Sequence, residues 1–202
     1  MLLTYYTSEE EPKEGRSLRF YERGENIPLI SSGIWQVYNG VVQLSELHLN
    51  GEETLLGWAQ PSTFFGRHFT KIEDYQAKAL SDVYLKWYLL EEIPKNSHLA
   101  QIILEQLIAR MKQTEALLAI AGLRRVEERL IALLKLLRQE LSEITPEGQR
   151  LTVRFTHQNL ADSIGTTRVT ITRLLGEFQR QGWISFDGDR RLLIAANFPC
   201  TS

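Results

Sequence analysis

A chain of 202 residues with 43% hydrophobic content and a formal net charge of −2 has room for one large or two small domains with real apolar cores. Its single cysteine, Cys200, excludes a disulfide framework and a cysteine-based zinc or iron–sulfur centre, and fits an intracellular, reducing compartment. There is no apolar run of about eighteen residues, and the first fifteen residues carry Glu9, Glu10, Glu11 and Glu14 in place of a signal-peptide core, so a soluble, cytoplasmic protein without membrane contact is expected.

The small total charge hides an asymmetry. Residues 1–95 hold 9 Lys+Arg against 14 Asp+Glu, net −5, whereas residues 148–202 hold 7 against 4, net +3. From Ser17 to about Ile93 the sequence consists of short β-type runs punctuated by glycine, such as Gly33–Gly40, Val41–Leu49 and Thr54–Trp58, with Asn39-Gly40 and Asn50-Gly51 as hairpin signals. Regular short strands carrying Trp35, Trp58, Phe64, Tyr84 and Trp87 point to a small antiparallel barrel or jelly roll with these aromatics in its core. Between Ser97 and Ala121 there is neither proline nor glycine, and apolar residues from Leu99 to Ile120 cover more than one stripe. Such a helix must bury two surfaces. One is expected on the barrel and the other on a second subunit, with Leu107 and Leu117 as expected dimerisation residues. Gly122 marks a hinge, after which Val126, Leu130, Leu133, Leu134, Leu137 and Leu141 open the second domain as an ordinary amphipathic helix. Leu151, Val153 and Phe155 then alternate as a strand.

Residues Thr156–Phe178 meet the positional demands of a helix-turn-helix. Counting from His157, the fifth position is the small Ala161, which lets two helices approach, and the ninth is Gly165, which tolerates φ > 0. Leu160, Ile164, Ile171, Leu174, Leu175 and Phe178 supply the apolar contacts, and Thr167 is the expected N-cap of the second helix. The face left uncovered carries Arg168, Val169, Thr172 and Arg173 and no acidic residue. Arginine can donate twice to guanine O6 and N7, and a valine methyl can meet a thymine methyl, so Arg168 and Arg173 are the expected base readers beside Val169. Thr167, Thr170 and Thr172 suit phosphate oxygens, and Thr156 and Thr166 complete the expected contact set. Trp183–Phe186 and Arg191–Ile194 flank Asp187-Gly188-Asp189-Arg190 as a hairpin wing, with Arg190 and Arg191 placed to meet phosphate.

Arg23-Gly24-Glu25, Gly33 to Gly40, Asn50-Gly51-Glu52 and Phe64-Phe65-Gly66, followed by the long helix and the winged helix-turn-helix, resemble the Crp/Fnr family of bacterial transcription regulators over nearly the whole chain. Gly165–Gly176 resembles most the cyanobacterial global nitrogen regulators of that family, which share the valine at the place of Val169. The resemblance implies an α+β architecture. It comprises an N-terminal antiparallel β-roll of the cyclic-nucleotide-binding, jelly-roll type over residues 1–95, a long dimerisation helix and hinge over 96–123, and a C-terminal winged helix-turn-helix over 124–202. It further implies a homodimer on double-stranded DNA, a palindrome of GTA and TAC half-sites, and contact with RNA polymerase.

The sensory half departs from the family pattern. Gly66 is followed by Arg67, the segment to Ala79 is too short for the helix that precedes the anion-binding arginine, and alignment on Ala79-Leu-Ser81 puts Glu73 in that arginine's place. A carboxylate about 4 Å from an anion repels it by roughly 4 kcal/mol at an effective dielectric near 20, so cAMP and 2-oxoglutarate are not expected as effectors. Arg124 matches an arginine that reaches the ligand in the nitrogen regulators. The alternatives are another small molecule in a remodelled pocket of Phe64, Phe65, Gly66, Arg67, Glu73 and Arg124, or an acidic roll that docks a protein partner while DNA contact is secondary. His48, His68, His98 and His157 form no metal-binding set, His68 lacks the partner of a haem ligand, and no nucleophile elbow, phosphate loop or HExxH is present, so neither an enzyme nor a cofactor is expected.

Overall fold

The computed structural model describes residues 18–199; the amino-terminal glutamates and Cys200 lie outside them. Seven strands come first: β1 (Arg19–Tyr21), β2 (Gly33–Asn39), β3 (Val42–Leu47), β4 (Glu53–Ala59), β5 (Phe64–Phe65), β6 (Tyr75–Ala79) and β7 (Val83–Leu89). They form two antiparallel sheets, ordered β1-β7-β2-β5 and β4-β3-β6. Alternation selects the inner face: in β6, Tyr75, Ala77 and Ala79 are buried and Gln76 and Lys78 are not. Side chains from both sheets, among them Trp35, Val37, Val42, Leu44, Phe65 and Leu85, share one apolar cluster, and Trp35 meets Trp87 edge to face at 4.6 Å. Asn50-Gly51 joins β3 to β4 as expected. Asn39-Gly40 does not close a hairpin. Both edges of β2 are taken, by β7 and β5, so the chain crosses there to the other sheet.

Helix α1 (Ser97–Ala121) has the expected bounds and begins at Asn96, whose side chain accepts a hydrogen bond from Leu99 N. Leu99, Ile103, Gln113, Leu117 and Ile120 are buried on its inner face. Leu117 belongs to the main core and Leu107 packs beside Phe64 and Tyr88, so both residues expected between subunits turn toward their own chain. The outer stripe is Leu104, Ile108, Met111 and Leu118, exposed by 44–73%.

After Gly122 the chain continues as α2 (Val126–Glu140), β8 (Ser142–Thr145), β9 (Gly148–Leu151), α3 (His157–Ile164), α4 (Arg168–Arg180), β10 (Ile184–Phe186) and β11 (Leu192–Ile194), with a sheet ordered β10-β11-β9-β8. The strand expected through Phe155 ends at Leu151, and Val153 and Phe155 enter the core from irregular chain. The roll and the winged part share one apolar cluster, because Val41, Trp58 and Leu80 insert into the core built by α2, α3 and α4. Trp58 meets Phe155 edge to face at 6.2 Å. Among the described residues no helix is long and apolar enough to cross a membrane.

Candidate nucleic-acid interface and the cavity beneath the roll

Thr156 caps α3: its hydroxyl accepts from Asn159 N at 3.0 Å, while Thr156 N donates back to Asn159 Oδ1. Gly165 ends the helix at φ 62°, a left-handed conformation that costs an L-residue about 1–2 kcal/mol, so glycine sets the turn between the two helices. Thr167 caps α4 by accepting from Thr170 N. Ile171, Leu174, Leu175 and Phe178 then face the core, which leaves Arg168, Val169, Thr172 and Arg173 outward; Val169 is 78% exposed.

Two of these side chains, Thr172 and Arg173, are already engaged. The Thr172 hydroxyl donates to Arg168 O at 2.9 Å, so its 2.8 Å contact with His157 Nδ1 makes the ring nitrogen the donor and leaves Nε2 to accept. Burial, and then the Arg168 charge, hold His157 below the ordinary histidine pKa. Arg173 is paired with Glu177 at 2.6 Å, so the expectation of a reading face without acidic residues is corrected at its far end. Thr170 shares a hydroxyl contact with Thr167.

The wing is braced from below. Asp187 Oδ1 accepts from Asp189 N and Arg191 N, and Arg150 joins Glu143 of β8 to Asp187. Arg190, at the turn, adopts φ 59°. Between the wing, the start of α3 and the start of α4 lies a cleft of about 610 Å³ lined by Arg154, His157, Arg168 and Arg190 with Phe155 and Phe186, and by no carboxylate. Three guanidiniums beside a helix N-terminus form a strongly anion-attracting surface. Arg154 had no motif to mark it in the sequence. Arg191 lies elsewhere, in a cleft between roll and winged part together with Arg23, Asp82 and Glu140.

Of the residues expected at an effector site, Phe64 and Phe65 line a cavity of about 300 Å³ between the roll and α1. Gly66 opens a single 3₁₀ turn, Arg67–Phe69, and does not line it. Arg67 donates to Glu73 O at 3.0 Å, and both side chains are exposed outside the cavity. The Glu73 carboxylate therefore does not guard this space, and the exclusion of anions by that residue loses its basis. Arg124 is exposed in the link between α1 and α2. The polar groups the cavity does hold are Tyr75, Thr70, Arg110 and Thr114, of which only Arg110 is a cation. Burial depresses the Arg110 pKa, with Tyr75 and Glu140 opposing, and burial pushes Tyr75 up to about 12. Arg110 was legible in one respect: it sits with Gln106 and Gln113 on the stripe that also carries Ile103 and Leu117.

The regulatory protein CysR of Synechococcus elongatus is 32% identical over 171 residues, covering 83% of this chain and 79% of that protein. The chain belongs to the Crp/Fnr family. The profile of the Crp-like helix-turn-helix domain matches residues 128–197. The global nitrogen regulator of Synechococcus elongatus is 28% identical over 201 residues, with 94% of this chain and 90% of that protein aligned. The solved FixK2 structure from Bradyrhizobium japonicum superposes with a TM-score of 0.76 at 18% identity, over 93% of this chain and 99% of that one, which shows the shared fold. The protein is thus a DNA-binding transcription regulator of this family and not an enzyme.

Proposed function

We propose that the protein binds inverted-repeat DNA sites as a homodimer and reads GTA/TAC-type half-sites with α4. The observation that carries this reading is the pairing of an exposed Arg168-Val169 face with the carboxylate-free cleft of Arg154, Arg168 and Arg190 beside it. Arg168 is the guanine reader, Val169 meets thymine methyl, and Arg154 and Arg190 hold backbone phosphate. Arg173 reads a second base only by leaving Glu177. Thr156, Thr166, Thr167 and Thr170 act as phosphate-side hydroxyls, and Thr172 orients His157 and Arg168 rather than the DNA. Arg191, which lines the cleft between roll and winged part, is left out of this first set of contacts.

Two copies meet through the outer stripe of α1. Leu104, Ile108, Met111 and Leu118 follow one another at four, three and seven residues, as on a coiled-coil seam with Glu115 in the remaining position, and both recognition helices reach one face of DNA when the two α1 helices run parallel. The roll of each copy, residues 1–95, the helix and hinge, 96–123, and the winged part, 124–202, act as the three working units, and the bound dimer contacts RNA polymerase. Fluorescence-anisotropy titration against a palindrome and its single-base variants tests the reading. Arg168→Ala should cost about 1–3 kcal/mol on the palindrome and abolish discrimination at one guanine. Equal loss on every sequence would make Arg168 a phosphate clamp and overturn the assignment.

A second element of the reading is control by a small molecule. The cavity between roll and α1 supports it, because it presents one half-buried guanidinium, Arg110, with no carboxylate within ion-pair distance among the described residues.

A further inference from the structure

We infer that the molecule controlling this protein is a small amphipathic monocarboxylate, one anionic head on an apolar tail, and that its head acts on the winged part through Arg110 and Gln113. The inference rests on the effector reading of the cavity given above and specifies its ligand and its route of action.

The ligand class follows from the lining. Leu56, Phe64, Phe65, Ile72, Leu107 and Met111 make the walls apolar, and Arg110 is the single charge. One guanidinium can pair one carboxylate bidentately. A second carboxylate would lie against phenyl and aliphatic groups without a partner, a desolvation cost that disfavours dicarboxylates. About 300 Å³ is at the lower bound of ordinary ligand pockets, which disfavours a nucleotide. Tyr75 stays a neutral phenol, so it can donate to the head group without adding charge.

The route follows from the groups Arg110 touches on its other side. Arg110 Nη1 donates to Gln113 Oε1 at 3.2 Å and, more weakly, to Trp58 O. Gln113, 6% exposed, also accepts from Trp58 N at 2.8 Å and donates through Nε2 to Glu140 at the end of α2. One amide thus joins the roll, α1 and the winged part. Strand β4 is shaped for it: Gly57 has φ 139° at a register shift against β3, and a Cβ there would lie 2.1 Å from Gln113 Oε1. The side chain of Trp58, whose main chain Gln113 holds, is the one that enters the winged core and meets Phe155, next to the cap of α3 and in the lining of the DNA cleft. A carboxylate that draws Arg110 toward the cavity withdraws a donor from Gln113 Oε1, and the change is felt by Trp58 and Glu140 together.

The test uses full-length protein and matched probes: 3-phenylpropionate, its neutral amide 3-phenylpropanamide, 2-oxoglutarate and cAMP, each followed by calorimetric binding and by DNA anisotropy. The acid should bind at least about tenfold more tightly than the amide, and more tightly than 2-oxoglutarate or cAMP. Arg110→Gln should bind acid and amide alike, while Arg110→Lys keeps part of the preference. Gln113→Met removes both the acceptor for Trp58 N and the donor to Glu140 without adding a charge beside Arg110; it should bind the acid but show no effect of the acid on DNA affinity. Acid and amide binding equally to the wild type, or Gln113→Met retaining the full response, overturns the inference. Preferential binding of 2-oxoglutarate or cAMP overturns the ligand class and leaves the effector reading intact, whereas no binding by any probe removes the effector reading itself.

Discussion

Neutralising Arg190 separates electrostatic positioning from base reading in a single experiment. Arg190 lies at the tip of the wing, in the cleft it shares with Arg154 and Arg168, and no ion pair holds it among the described residues. A two-fold dimer loses two phosphate contacts when this residue becomes alanine. Each contact contributes about 0.9 to the slope of log affinity against log salt, so the slope should flatten by about 1.8. Between about 50 and about 200 mM salt, a change of that size is worth a factor of roughly 12 in relative affinity. The backbone supplies an internal control. At φ 59° an alanine carries the same left-handed penalty as arginine, and a glycine relieves about 1–2 kcal/mol of it. Arg190→Ala and Arg190→Gly should therefore show the same salt slope while the glycine variant melts at the higher temperature. Anisotropy titrations over a salt series, on the palindrome and on an unrelated duplex, measure both effects. A slope unchanged from the wild type, or a loss confined to the palindrome, would refute the assignment of Arg190 to phosphate.

Three further outcomes are expected. Glu177→Gln frees Arg173 from a mostly exposed i,i+4 pair, an interaction of about 0.3–0.5 kcal/mol, and should tighten DNA binding about twofold at low salt; weaker binding would mean that Glu177 positions Arg173 for its base. Leu104→Glu combined with Leu118→Glu should give monomers by analytical ultracentrifugation with an unchanged circular dichroism spectrum, whereas Leu117→Glu should unfold the protein, since Leu117 is 9% exposed in the main core. His157 resists protonation in the folded state, so the stability it contributes is complete above its ordinary pKa near 6.5 and is lost as pH falls through the depressed value. The melting temperature should accordingly fall between about pH 7 and about pH 5, and less so in His157→Gln; an identical fall in the variant would assign it to other groups.

What could be read from residues alone follows from whether a position answers to local or to remote demands. Gly165 and Thr167 were legible because a left-handed turn and a helix cap are requirements of the backbone within three or four residues, whereas Thr156, expected only among the DNA contacts, also caps α3. The Asn50-Gly51 hairpin was legible for the same reason. Asn39-Gly40 carries an equally good local signal, yet its partner strand is decided by β7 and β5 occupying both edges of β2, a fact of the whole sheet. Glu73 was misplaced by alignment because nothing in the shortened segment states that Arg67 reaches its carbonyl and turns both side chains outward.

Helix α1 shows how polarity can point the wrong way. Its two apolar stripes were visible, but which one faces the roll was not. The stripe through Ile103, Gln106, Arg110, Gln113 and Leu117 contains the polar groups and so reads as the outer one, while Leu104, Ile108, Met111 and Leu118 read as the better core. The structure reverses this, and the reason is energetic. A buried polar group is tolerable only where a partner is built for it, and Gln113 has three: Trp58 N, Arg110 and Glu140. An apolar stripe left in water within one chain is tolerable only where something else covers it. If the second copy proposed above is that cover, Met111 and Thr114, which line the effector cavity from the exposed side of α1, become part of the subunit boundary as well. A ligand in the cavity and the partner helix then press on neighbouring side chains of one turn of α1, which predicts that occupancy by the monocarboxylate changes the dimer dissociation constant and, by linkage, that dilution to monomer changes the ligand affinity by the same factor. Ligand titrations above and below the dimer dissociation constant measure that factor; equal affinities in the two regimes would mean that cavity and seam act independently.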